Sequence, residues 1–246
     1  MRPRVHQKNP KVDTVMPKGK WEFDSQVAES FQNMLRRSIP QYDVMRKVVF
    51  DLARKYAKKN TAIVSLGCSR GDDLAPLVDH FGDMNTYVGV DVSGPMLRAA
   101  KKRFKHSISQ GNVSIIECDL KRSYPPDRAS VVLSILCVQF IPIEYRQRII
   151  KNMYDSLVPG GAAIVVEKVL GESAELDKSF VELYLDMKKE NGYTQEQIDR
   201  KKMSLEGVLV PVTAEWNEQL LSGAGFGSVD CFWRFLNFSG WVAIKT

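Results

Sequence analysis

The chain of 246 residues suits one α/β domain with additions, since hydrophobic residues make up 44% of it and charged residues 26%. No apolar run approaches the roughly 18–20 residues that a membrane span requires, and the N-terminus lacks the apolar stretch of a signal peptide. Four widely spaced cysteines without a CxxC motif indicate reduced thiols in a cytoplasm, not disulfides or a metal site. The net charge of +6 comes largely from the N-terminus and from lysine pairs, which favours a merely soluble surface over direct nucleic-acid binding.

The first part of the chain predicts helices and then a regular β-α alternation. Residues 1–20 are predicted to be a flexible leader, and residues 21–59 an N-terminal helical lid of two helices broken at "SIPQY". The predicted strands that follow are "AIVSL", "TYVGVD", "VSIIECD", "SVVLSIL" and "AAIVVEKV", with helices such as "DDLAPLVDHF", "SGPMLRAAKKRF" and "EYRQRIIKNMYDSL" between them. Such alternation builds a parallel sheet with helices on both faces, and ligands bind beyond the carboxyl ends of its strands.

The alternation ends after the fifth strand. Residues from about 175 to 207 predict a helical insertion with a turn at Asn191-Gly192, and "TAEWNEQLLSGAGF" predicts one more helix. The last two strands, "GSVDCFWRFL" and "SGWVAIK", are separated by a short turn and are therefore expected to pair as an antiparallel hairpin. The predicted fold is Rossmann-like, that of a class I methyltransferase domain over residues 60–246. It has a mostly parallel seven-stranded sheet, an antiparallel C-terminal hairpin and a helical lid.

The segment "IVSLGCSRGDDL", residues 63–74, admits two interpretations. It contains G-x-S-x-G, the nucleophile-elbow pattern of serine hydrolases, with Ser69 as the nucleophile. That chemistry needs a histidine later in the chain as the base, and residues 107–246 contain none. The other interpretation is a turn between a strand and a helix, in which Gly67 and Gly71 let the backbone approach a ligand. We therefore expect Ser69 to belong to a ligand-binding loop.

Two acidic residues end the next two predicted strands. Asp91 lies about 20 residues after the glycine turn, where an acid can accept hydrogen bonds from both hydroxyls of a ribose. Asp119 ends the third strand and is placed to accept a hydrogen bond from an adenine amino group. Each acid alone also fits a helix N-cap or a turn. Together with the turn they predict an adenosine-containing cofactor, and because the dinucleotide and P-loop signatures are absent from the sequence, S-adenosylmethionine (SAM) remains.

Several segments are more specific than the glycine turn, namely "WEFDSQVAESFQNMLRRSIPQY", "LGCSRG", "VDVSGPML", "QFIP", "LVPGGAAIVVEK", "ENGYTQEQI" and "FLNFSGWVAIK". With them, over about residues 21–246, the chain resembles the CmoA family, the carboxy-S-adenosylmethionine synthases of tRNA wobble-uridine modification. The resemblance implies contacts to the methionine portion, the ribose and the adenine of the cofactor. The implied contacts to the methionine portion come from Tyr42 and the loop residues Gly67, Cys68, Ser69 and Gly71. The implied contacts to the ribose come from Asp91 and Val92, and those to the adenine come from Asp119 and Leu120.

Three positions depart from that family's pattern. Ser65 stands where the family has an acid, and Ser134 stands where it has a cofactor-contacting asparagine, which makes Ser134 the candidate for that contact. Lys202 aligns with the arginine that grips the extra carboxylate of carboxy-S-adenosylmethionine, and lysine offers a compact charge instead of a planar fork. Lys202 also fits a solvated surface lysine. The candidate catalytic residues are Lys202 and Tyr193, with Glu167 as a further candidate base.

These departures lead us to expect a SAM-dependent methyltransferase that acts on a small molecule. The alternative is carboxy-S-adenosylmethionine synthesis, for which the resemblance implies prephenate as the carboxyl donor. A further alternative is a cyclase that cleaves SAM and releases methylthioadenosine. The cofactor is SAM, or carboxy-S-adenosylmethionine, and no metal is expected. The family resemblance also implies a homodimer.

Overall fold

A computed structural model, which describes residues 11–125 and 128–246, contains the predicted alternation of strands and helices. The strands are β1 (Ala62–Leu66), β2 (Thr86–Asp91), β3 (Val113–Glu117), β4 (Ala129–Ile135), β5 (Leu157–Leu170), β6 (Val212–Thr213), β7 (Ser228–Phe235) and β8 (Phe238–Ile244). The α-helices are α1 (Ser25–Ser38), α2 (Tyr42–Tyr56), α3 (Ala75–Phe81), α4 (Gly94–Arg103), α5 (Lys105–Ser109), α6 (Ile143–Ser156), α7 (Ala174–Glu190), α8 (Gln195–Leu205) and α9 (Ala214–Gly223).

The main sheet has the strand order β3-β2-β1-β4-β5-β8-β7. Strands β1 to β5 are parallel, and β8 is antiparallel to both β5 and β7, which confirms the predicted hairpin. The short β6 pairs with the end of β5. Strand order reverses between β1 and β4, so a crevice opens beyond the carboxyl ends of these two strands, where ligands bind in such sheets.

The core lies on both faces of the sheet because side chains alternate along each strand. In β1, Val64 and Leu66 pack on the face covered by α6 and α9, while Ile63 packs on the face covered by α2, α3 and α4. All three side chains are fully buried. Burying a side chain of this size stabilises the fold by about 1.5–3 kcal/mol.

Helix α1 and the residues before it form a hydrophobic cluster of their own against α4, whereas α2 packs on the sheet. Helix α1 begins at Asp24, whose side chain accepts a hydrogen bond from the backbone N–H of Val27 at 2.9 Å. Its buried face, which includes Phe31 and Met34, packs with Trp21 against Met96 of α4. This contact places the lid beside the turn that follows β2. Among the described helices none is long and apolar enough to cross a membrane.

The prediction of a flexible leader over residues 1–20 is corrected at Asp13, which is held by the folded protein. Residues 1–10 of the predicted leader lie outside the described residues. The side chain of Asp13 is fully buried and accepts hydrogen bonds from Lys201 Nζ and Tyr193 Oη. The backbone N–H of Asp13 donates to Asn33 Oδ1 at 2.8 Å, and its carbonyl accepts from Arg37 at 3.0 Å. The segment around Asp13 therefore ties α1 to the helical insertion formed by α7 and α8.

Candidate functional site

The turn after β1 has an unusual backbone that brings it close to the neighbouring strand. Gly67 has φ +65°, and a Cβ atom at this position would lie 2.5 Å from Cys137 Sγ. Ser69 also has a positive φ, +48°, which is uncommon for a residue other than glycine. Its Oγ donates a long hydrogen bond to the Gly67 carbonyl, at 3.5 Å. Ser69 therefore lies in a strained turn that lines a cavity, and its contact with a cofactor stays a prediction.

Asp91, at the end of β2, holds this turn in place. Its two carboxylate oxygens accept hydrogen bonds from the backbone N–H of Ser69 and of Ser93, both at 2.8 Å. Burial raises the pKa of Asp91, and these hydrogen bonds oppose the rise because they stabilise the carboxylate. Each oxygen has a second lone pair that can accept a hydroxyl, so the geometry suits a ribose diol.

A first cavity, here called the cofactor cavity, joins the three predicted sequence features. It lies between the turn after β1, the ends of β2 and β3, and the loop after β4. The predicted residues that line it are Gly67, Ser69, Asp91, Val92, Asp119 and Leu120. Asp119 also accepts the backbone N–H of Lys121 at 3.0 Å, so it stabilises its own turn as well as facing the cavity.

A second cavity, here called the inner cavity, adjoins the cofactor cavity. Gly67, Ser69, Phe23, Leu136 and Phe140 line both, so a ligand could extend from one into the other. The inner cavity is covered by α1, α2 and the insertion, and its walls are mostly apolar. The predicted residues Tyr42 and Cys68 line it, and its basic side chains are Arg46, Lys168, Lys188 and Lys201. Burial raises the pKa of Tyr42 to about 12, so its hydroxyl stays protonated at neutral pH.

A buried acid in the inner cavity was not predicted from the sequence. Asp73 lines the cavity and is only 8% exposed, and the hydroxyl of Ser65 on β1 donates a hydrogen bond to its carboxylate. Burial raises the pKa of Asp73, and the positive charge of Arg46 opposes that rise. Ser65 and Asp73 lie eight residues apart, and the turn between them brings them together. The chain thus has a carboxylate beside Ser65, the position where the related family has an acid.

Glu167 on β5 holds the loop after β4 that separates the two cavities. Its carboxylate oxygens accept the backbone N–H groups of Val138 and Gln139 at 2.9 and 3.0 Å. In the same loop Leu136 has φ +57°, so this wall of both cavities is conformationally strained. Burial raises the pKa of Glu167 to about 7. Glu167 lines neither cavity, and its two oxygens hold the backbone of this loop, so it acts as a positioning residue here, while its use as a base stays a prediction.

Besides Glu167, four predicted site residues do not line either cavity. Gly71 lies inside the turn, where a Cβ would meet the ring of Phe104, and Ser134 is fully buried. Tyr193 is buried with its hydroxyl on Asp13. Lys202 is exposed, although its charge contributes to lowering the pKa of Lys168.

Lys201, the residue before Lys202, lines the inner cavity in its place. Successive helix residues point about 100° apart, so only one of the two can face the cavity. Ile198, Lys201 and Ser204 are the buried residues of α8, and this burial is a property of the folded protein that the sequence of the helix does not show. No group of three or more possible metal-ligating side chains occurs among the residues that the structure describes.

Comparisons with known proteins identify relatives of this chain. A family described as a methyltransferase domain matches residues 63–161. A carboxy-S-adenosyl-L-methionine synthase of Methylococcus capsulatus is 38% identical over 91% of this chain and 93% of that protein. A protein of the same name from Desulforapulum autotrophicum is 35% identical over 92% of this chain and 91% of that protein.

Solved structures show the same fold at low sequence identity. An O-methyltransferase family protein from Burkholderia thailandensis superposes with a TM-score of 0.62 at 18% identity, covering 91% of this chain and 60% of that one. Human N-acetylserotonin methyltransferase, solved in complex with SAM, superposes with a TM-score of 0.57 at 15% identity, covering 90% of this chain and 55% of that one. The near full-length similarity to the synthases, together with the SAM-type cofactor cavity, shows that the chain belongs to the carboxy-S-adenosyl-L-methionine synthase family within the class I SAM-dependent methyltransferases.

Proposed function

We propose that this SAM-dependent enzyme synthesises carboxy-S-adenosylmethionine, with prephenate as the carboxyl donor. The observation that carries the proposal is the inner cavity, which adjoins the cofactor cavity and combines apolar walls with lysine side chains. Such a lining suits an anionic small molecule with a hydrocarbon ring. The names of the relatives support the same activity. Methyl transfer to a small molecule, which the sequence analysis favoured, has less support because it leaves the basic lining without a role.

The proposed reaction balances without an added oxidant or metal. The ring of the donor becomes aromatic as its ring carboxylate leaves as carbon dioxide and its ring hydroxyl leaves as hydroxide. A proton leaves the sulfonium methyl group of SAM and combines with that hydroxide to give water. A carbon–carbon bond then joins the former methyl carbon to carbon dioxide. The products are carboxy-S-adenosylmethionine, phenylpyruvate and water.

In this reaction the protein chiefly orients the two reactants and keeps bulk water out. The hydroxide released by the donor can accept the methyl proton, so the absence of a histidine after residue 106 is no obstacle. Asp91, Asp119 and the turn at Gly67 would hold SAM. The inner cavity would hold the donor against the methyl group, where a bound neighbour reacts far faster than one free in solution.

The proposal is tested by incubating the purified protein with SAM and prephenate and analysing the nucleotides by mass spectrometry. We expect a product with the mass of SAM plus one carboxylate, formed only when prephenate is present. The nucleotide that co-purifies with the protein provides an independent check. Formation of S-adenosylhomocysteine or methylthioadenosine as the sole product would refute the proposal in favour of methyl transfer or SAM cleavage.

A cytoplasmic homodimer that does not itself bind nucleic acid is part of the same proposal. The family resemblance supports the homodimer, the widely spaced cysteines support the cytoplasm, and the distribution of charge argues against nucleic-acid binding. Light scattering of the purified protein would measure its mass directly.

A further inference from the structure

Two lysines that line the inner cavity make no hydrogen bond or ion pair with an acid in the part of the chain that the structure describes. Lys168 lies on β5 and Lys188 lies in the last turn of α7, and their ammonium nitrogens approach the same aromatic ring, that of Tyr184, at 4.9 and 5.5 Å from its centroid. Within residues 11–125 and 128–246, neither nitrogen has a hydrogen-bond acceptor or an ion-pair partner. Lys188 is only 6% exposed. A lysine this deeply buried is rarely left without a counter-charge.

The electrostatics of the cavity point to a missing anion. Burial lowers the pKa of both lysines, that of Lys188 to about 8, and the charges of Lys201 and Lys168 lower the pKa of Lys188 further. The attraction of Asp13 for Lys188 and of Asp177 for Lys168 only partly opposes these effects. A carboxylate between the two ammonium groups would remove the repulsion and supply the hydrogen bonds that both groups lack.

The other cations of the cavity already have partners or lie elsewhere. Lys201 is paired with the buried carboxylate of Asp13. Arg46 lies on α2, at the part of the cavity near Asp73, whose pKa its positive charge lowers. Lys202 is exposed and does not line the cavity.

We propose that Lys168 and Lys188, whose ammonium groups both approach the Tyr184 ring, form a clamp that binds a carboxylate of the carboxyl donor. The ligand class is a small carboxylate with an unsaturated or aromatic ring, because Tyr184 and Phe238 form an aromatic wall with ring centroids 5.6 Å apart. Lys168 belongs to the sheet and Lys188 to the insertion, so the clamp exists only when the insertion lies against the sheet. This inference rests on the proposed function for the identity of the donor, and only on the cavity for the carboxylate.

The clamp is tested by equilibrium binding to protein saturated with S-adenosylhomocysteine, which fills the cofactor site without reacting. The probes are prephenate, phenylpyruvate and the uncharged methyl ester of phenylpyruvate. The variants are Lys168→Met and Lys188→Met, which keep the length of the side chain and remove its charge. The matched control is Lys189→Met, at the exposed neighbouring position on the same helical turn.

We expect each of the two clamp variants to weaken the binding of both carboxylates by about 10- to 100-fold, the range for loss of one charge-assisted hydrogen bond. Binding of the methyl ester and of S-adenosylhomocysteine should change by less than about twofold, as should all binding to Lys189→Met. The melting temperature of unliganded Lys188→Met should not fall, because the substitution removes an unpaired buried charge. A carboxylate affinity unchanged in both clamp variants, or lost equally in Lys189→Met, would overturn the inference.

Failure of the clamp and failure of the proposed function give different results. If the wild-type protein makes no carboxy-S-adenosylmethionine but binds phenylpyruvate through both lysines, the clamp stands and the proposed function fails. If it makes that product and both variants keep the wild-type KM for prephenate, the proposed function stands and the clamp fails.

Discussion

Replacing Asp13 by alanine should destabilise the whole protein, although Asp13 lies in a segment whose sequence suggests a flexible leader. The carboxylate of Asp13 is fully buried and pairs with Lys201, which is only 3% exposed. Its other contacts are the Tyr193 hydroxyl and the backbone N–H of Val15, the latter at 3.1 Å. Removing one partner of a buried ion pair costs about 3–5 kcal/mol, because the remaining charge is left in a poorly solvated place.

The second half of this prediction separates the ion pair from mere packing. The double variant Asp13→Ala/Lys201→Met removes both charges, so no buried ion remains without a partner. We expect it to recover at least about 2 kcal/mol relative to the sum of the two single variants, a coupling in the range for residues in direct contact. As a control, Lys202→Met at the adjacent exposed position should change the unfolding free energy by less than about 0.5 kcal/mol.

Urea unfolding followed by circular dichroism measures these free energies, and thermal unfolding gives an independent reading. For a chain of this size about 1 kcal/mol corresponds to roughly 2–4 °C, so Asp13→Ala should lower the melting temperature by about 6–20 °C. A loss below about 1 kcal/mol in Asp13→Ala would show that the segment does not fasten the insertion to α1. Strict additivity of the two single variants would show that the ion pair makes no specific contribution.

Three further predictions concern the site. Asp91→Asn should raise the dissociation constant for SAM, measured by calorimetry, by about 10- to 100-fold. The reason is that a neutral amide replaces a carboxylate that accepts the Ser69 N–H at 2.8 Å. An unchanged dissociation constant would contradict the assignment of Asp91 to the ribose. The unfolding free energy of the wild type should fall relative to that of Glu167→Gln as the pH rises from about 4.5 to 7. The pKa of Glu167 is raised to about 7 in the folded protein, so in this window the folded state binds a proton that the unfolded state has lost. Parallel plots of unfolding free energy against pH for the two proteins would refute this. Phenylpyruvate binding should weaken above about pH 8, where Lys188 loses its proton. Burial and the charges of Lys201, Lys168 and Arg37 lower the pKa of Lys188 to about 8, and the attraction of Asp13 only partly opposes them. Lys188→Arg should bind without that decline, and an identical pH profile for both proteins would assign the decline to another group.

The pattern of residues along the chain determined the fold and half of the candidate site. Alternation of short apolar strands with amphipathic helices is a local property, and a right-handed β-α-β connection leaves few ways to arrange the strands. The turn at Gly67, Asp91 and Asp119 could be placed in one cavity because parallel strands bring their carboxyl ends to the same edge of the sheet. These three features lie in the cofactor cavity as predicted.

The tertiary structure alone decided how the inner cavity is lined. The charged residues buried around this cavity come from separate segments of the chain, and nothing in the sequence distinguishes them from surface charges. They are Asp13, Lys168, Lys188 and Lys201. Their burial depends on the docking of the insertion and of the N-terminal segment against the sheet. The family resemblance pointed to Lys202, but the residue that lines the cavity is Lys201. Matching one sequence to another does not tell which way a helical side chain points. Local patterns set secondary structure and sheet topology, whereas a buried charge is defined by contacts between distant segments, which no local pattern contains.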